Sequence, residues 1–99
     1  MSLPAKRVLV VVDADPRTSD RAIEALRMSV GIAAAENAVR VVLAGDAGLL
    51  LAAEREGLPG GARAAGFLDA LERLGAEVGG DGDLPGRLLE ADEVVRWTE

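Results

Sequence analysis

No cysteine and no histidine occur anywhere in the chain. Without a thiol there is no thiolate nucleophile, no disulfide and no thiolate metal site. Without an imidazole there is no Ser-His-Asp triad and no histidine base or metal ligand. Tyr and Gln are also absent, and Lys6 is the one lysine among 11 basic residues. Long apolar runs are missing too. "VLVVV" and "GLLLAA" are far too short to span a bilayer, so no membrane partnership is expected. The start, "MSLPAKR", lacks the apolar core of a signal peptide. A cytoplasmic location is the expectation. Basic charge is scarce: 17 acidic against 11 basic residues give a net charge of −6. Such a surface repels nucleic acid, and no basic stripe offsets it.

What remains for chemistry is Lys6, a few Ser and Thr, and the carboxylates. Glycosidases work with carboxylates alone, but a 99-residue chain leaves little room for a sugar cleft. Hydrophobic residues at 49 % and charged residues at 28 % fit a globular chain. The length supports one domain, residues 1–99. A domain this small buries a limited share of its surface, so association with another chain would help it.

"KRVLVVVD", residues 6–13, is apolar and β-branched without alternation, the pattern of a parallel strand buried on both faces. "ADPRTSD" turns into a helix reaching about Ala35, with Asp15 or Thr18 as its cap and Pro16 near its first turn. Ile23, Leu26, Val30 and Ala33 form its apolar stripe, and Arg21, Glu24 and Arg27 face away. Gly31, inside that helix, is expected to pack closely on the sheet. "VRVVLAG" reads as a second strand. Asp46 then suits the N-cap of a helix "AGLLLAAERE", which Gly57 stops. "GLPGGA" is a loop, the most flexible stretch expected. A third helix, "RAAGFLDALERLG", has Phe67, Leu68, Leu71 and Leu74 on its apolar face and Gly75 as its stop. "AEVGG" is a short strand, "DLPGRLLEA" a brief helical turn and "EVVRWT" a last strand. Trp97, the lone Trp, is expected in the core or at a subunit contact.

The order β-α-β-α-α-β-(α)-β predicts an α/β fold: a single three-layer domain with a mainly parallel sheet flanked by helices. The loops after the strands then gather at the carboxyl edge, where open α/β sheets bind ligands. They carry Asp13, Asp15, Gly45, Asp46, Gly80, Asp81 and Asp83. These are the candidate ligand or partner loops. Each also has a plainer reading. The acids of "VVDADP" can cap a helix and complement its dipole. A phosphoacceptor arrangement like that of receiver domains would need a lysine downstream, and Lys6 precedes the first strand. "LAGDAG" has neither GxGxxG nor GxxxxGK[ST] spacing. "GGDGD" lacks the oxygen ligands and closing Glu of a calcium loop. No catalytic residue, metal site or cofactor is assigned.

The stretches "RVLVVVDADP", "DRAIEALRMSVGIAAA", "VRVVLAGDAGLLL" and "FLDALERLGAEVGGDG", in that order and spacing, resemble the DsrE/DsrF/DsrH-like proteins. These are the small sulfur-relay subunits that also include the TusB, TusC and TusD group. The resemblance covers most of the chain. It implies a DsrE-like fold and an oligomeric habit, as dimer, trimer or hexamer. In that family a cysteine after the third helix and its short strand carries a persulfide between partner proteins. Its place here falls at or next to Asp81, and a carboxylate cannot carry sulfane sulfur. The resemblance therefore implies a non-catalytic subunit, acting as a scaffold or as partner of a thiol-bearing relay protein. The alternative is a small-ligand or divalent-metal-binding protein using Asp13, Asp15, Asp46 and Asp81.

Overall fold

A computed structural model describes residues 6–52, 57–80, 82 and 91–98. Four strands form one sheet in the order β3-β2-β1-β4. They are β1 (Arg7–Val12), β2 (Ala38–Leu43), β3 (Glu77–Gly79) and β4 (Glu93–Trp97). Every pairing is parallel, with Val10 beside Val41 and Val95. This is the α/β architecture expected from the sequence.

β1 occupies the centre because none of Val8–Val12 has a polar side chain to offer to water. All five are buried. Val8, Val10 and Val12 turn toward one face, where they meet Val39, Val41 and Leu43 of β2. Leu9 and Val11 turn to the other, where they join Val42, with Ala91 packed against them. Apolar clusters on both faces are the mark of a three-layer arrangement.

α1 (Arg21–Ala34) and α2 (Gly61–Arg73) cover the first face. Ile23, Leu26 and Ala33 of α1 are buried there as their spacing predicts, with Val30 packed beside them, while Arg21 and Arg27 are exposed. Ser29 is also fully buried, and its hydroxyl donates to the Ala25 carbonyl at 2.7 Å. That bond removes the cost of an unpaired hydroxyl in an apolar layer. On α2, Leu71 is buried and Phe67 and Leu68 are half-buried. Leu74 departs from the expected apolar face: it is the C-cap residue and 45 % exposed. Gly75 stops the helix as expected, at φ +82. Its N–H reaches the Glu72 carbonyl and that of Ala76 reaches Leu71, which together make a Schellman closure.

Four local expectations are corrected. α1 begins at Arg21, and neither Asp15 nor Thr18 caps it. Residues 16–18 instead form a separate turn, closed by the Thr18 N–H on the Asp15 carbonyl. Gly31 is exposed, and a Cβ there would meet nothing within 4 Å. After β2 the chain enters a 3₁₀ helix, Gly45–Leu51, whose N-cap is Ala44 rather than Asp46. Of "GLPGGA", expected to be a loop throughout, Gly61 and Ala62 already belong to α2, while Leu58 packs against the core and Gly60, at φ +72, abuts Ile23. The helix end expected at residues 53–56 and the turn expected at 83–90 lie outside the described residues.

The two glycines predict opposite responses to alanine. Gly31→Ala should raise stability by about 1 kcal/mol, because the site is open, helical and free of contact. Gly60→Ala should lower it by about 1–2 kcal/mol, since an L residue is strained at that φ. Its Cβ would also come within 2.5 Å of the Ile23 Cδ1. Thermal unfolding reads both, at about 4–8 °C per kcal/mol for a domain of this size.

Candidate functional site

β1, β2 and β3 step outward in one direction, and β4 returns to the far side of β1. The chain therefore reverses its winding between β1 and β4. Beyond the carboxyl ends of those two strands lies the usual ligand crevice of such sheets. Here the Asp13 N–H donates to the Trp97 carbonyl at 3.0 Å, continuing the ladder past β1. The Ala44 N–H donates to the Val12 carbonyl at 2.8 Å, fixing the exit from β2 beside that from β1. These bonds place Asp13 and Asp15 next to Gly45 and Asp46. Gly80 follows β3, which β2 separates from β1. Asp81 and Asp83 lie outside the described residues.

The residue that organises this edge is Arg17, which the sequence reading passed over. Its Nη2 lies 2.9 Å from Asp15 Oδ2 and 3.7 Å from Asp46 Oδ1, joining the loops after β1 and β2. Its Nε and its backbone N–H both donate to Asp15 Oδ1, at 3.0 and 2.9 Å. The side-chain bonds to Arg17 hold the Asp15 carboxyl below its ordinary value of 3.8, and the backbone bond adds to them. The signal for this knot was the spacing Asp-Pro-Arg. A turn over Pro16 folds the guanidinium back onto the carboxylate two residues earlier.

A carboxylate held ionised in this way is poorly suited to general acid–base work near neutral pH. A cation already sits between Asp15 and Asp46, where a metal would have to go. Among the described residues no group of three or more acidic side chains is placed to hold a metal ion. Gly45, at φ +56, makes the left-handed turn into the 3₁₀ helix. That conformational need accounts for the glycine without a bound anion.

Hollows lie elsewhere among the described residues, and two of them run beside β2 and β3. One, of about 210 Å³, opens at the amino edge among Arg7, Leu9, Arg40, Glu77 and Ala91. Its charges are paired: Arg7 Nη2 with Asp92 at 3.2 Å, and Arg40 with Glu77. The other, of about 440 Å³, runs along β2 and β3 and includes Gly80 and Gly82. Lys6 stands at the amino edge, away from Asp13 and Asp15, because it precedes β1. No described helix is long and apolar enough to cross a membrane.

These pairings set the acid response. Hydrogen bonds from Arg17, Arg27 and Arg7 hold Asp15, Glu24 and Asp92 below their ordinary values. A lowered carboxyl contributes stability above its unfolded-state pKa and loses it as pH falls through the folded-state value. Stability should therefore hold at neutral pH and decline below the ordinary values of 4.5 for Glu and 3.8 for Asp. Arg17→Ala releases Asp15, so its stability should fall less steeply on acidification than that of the parent chain. Denaturant unfolding at a series of pH values checks this. Equal slopes would show that the Arg17–Asp15 pair adds nothing in solution.

Comparison of the chain with protein-family models, with curated proteins and with solved structures finds no match in any of the three.

Proposed function

We propose that this chain is a non-catalytic DsrE-like subunit. It serves as a scaffold, or as the partner of a thiol-bearing protein in intracellular sulfur transfer. The observation that carries the reading is chemical: a chain whose motifs resemble those of the relay subunits has no cysteine at any position. It has nothing to hold a persulfide. The state of the carboxyl edge agrees with a non-catalytic role, since Arg17 ties up Asp15 and reaches toward Asp46. The same knot weighs against the alternative of a divalent ion held by Asp13, Asp15, Asp46 and Asp81. An incoming ion would have to displace a guanidinium from its bidentate partner.

Two measurements test this reading. After incubation with a persulfide donor, intact-mass analysis should find the chain unchanged. A stable gain of one sulfur atom would sink the thiol-free account. In thermal-shift screening, magnesium, calcium and manganese should leave the melting temperature where it was. An ion at 100 times its dissociation constant would add about 2.7 kcal/mol, and a shift of that size would favour the metal-binding alternative.

A further inference from the structure

α1 packs most on β2, and α2 on β3. The first face of β4 is left partly open, so Val95 and Trp97 are only half-buried there. A hollow of about 380 Å³ lies beside it, lined by Lys6, Val8, Ile32, Asn37, Glu93 and Val95. Its size falls within the range of small-molecule sites, and its make-up is theirs too: an apolar floor with a few polar groups. Strand register explains that make-up. Val8 stands opposite Glu93, and the Ala38 N–H donates to the Lys6 carbonyl. Alternation along the chain turns Lys6 to the same face as Val8. Asn37, Lys6 and Glu93 thus stand side by side at the amino ends of β2, β1 and β4.

These polar groups have capacity to spare. Among the described residues neither Lys6 nor Glu93 forms an ion pair, with each other or with a third group. Asp92 feels the Lys6 charge at longer range, but its carboxylate is already engaged by Arg7. The Asn37 Nδ2 donates to the Ile32 carbonyl at 3.0 Å, and its Oδ1 accepts from no described group. We propose that this hollow binds a small zwitterion with an aliphatic side chain, an α-amino acid of the leucine type. Its carboxylate meets the Lys6 ammonium. Its own ammonium meets the Glu93 carboxylate and the Asn37 Oδ1. Its side chain lies over Val8, Ile32 and Val95. Charge complementarity selects this class, because the described lining holds one cation and one anion. An aliphatic acid would bring its charge up against Glu93, and an aliphatic amine against Lys6. A neutral apolar molecule would cover the floor and leave both charges unanswered. Hydrogen bonds between ionised groups are the stronger kind, so a ligand with both charges gains most.

The hollow lies at the edge opposite the Arg17 knot and owes nothing to the missing thiol, so it stands or falls apart from the reading above. Calorimetric titration of the full chain with leucine tests it. Saturable binding of one leucine per chain is expected. Lys6→Gln and Glu93→Gln should each weaken it about tenfold, the worth of one hydrogen bond to a charged group. Both residues are exposed, so the variants should fold as the parent does, which circular dichroism checks. Isocaproate and isoamylamine keep the side chain and drop one charge each. Both should bind about tenfold more weakly than leucine. No saturable binding of leucine overturns the proposal. So does leucine binding that both substitutions leave unchanged, or isocaproate binding as tight as that of leucine.

Discussion

The structure depends on one constraint: five consecutive residues, Val8–Val12, have no face they can show to water. A strand of this kind needs a neighbour on each side and an apolar cover above and below. β2 and β4 supply the neighbours, and α1 and α2 cover one face. Parallel neighbours cannot be joined by tight turns, and α1 and α2 carry the chain back over the sheet. That requirement sends the exits of β1 and β2 to the same edge. The placement of Asp13, Asp15, Gly45 and Asp46 together is thus a consequence of packing β1, before any selection for chemistry.

Arginine then decides what that edge can do. Every cation in the described ion pairs is an arginine, from Arg7 with Asp92 to Arg73 with Asp69. The planar guanidinium can satisfy both oxygens of a carboxylate, which a lysine cannot do. At Asp15 this makes a candidate ligand-binding carboxylate a structural one, pinned at both oxygens. On an exposed surface such pairs add little to stability individually. Their larger effect here is to fix the protonation and direction of side chains that the sequence alone leaves free.

The strands and the sides of the helices were legible because burial leaves a direct imprint on residue pattern. The unbroken apolar run of β1 and the three- and four-residue spacing of Ile23, Leu26 and Ala33 are such imprints. Gly75 was legible for a different reason, since a helix ending in a left-handed turn favours glycine. What stayed hidden depends on geometry across the chain. Asp46 resembles an N-cap until the β2 exit tightens into a 3₁₀ helix at Gly45. Gly31 resembles a close-packing residue until the helix rotation places it outside. Arg17 carries no signal on its own. Its role appears only when the turn over Pro16 and the neighbouring exit of β2 bring two carboxylates within its reach.

On the proposed reading, a chain that resembles thiol-bearing relay subunits but contains no thiol acts through what it touches. The central claim is that this chain is a subunit working beside a protein that does carry the reactive sulfur. The direct measurement is affinity purification of the full chain from its native cell, with partners identified by mass spectrometry. The account predicts a cysteine-bearing sulfur-transfer protein retained in fixed stoichiometry and able to form a persulfide on its own thiol. Recovery of the chain with no thiol-bearing partner, or with partners unrelated to sulfur transfer, would contradict it.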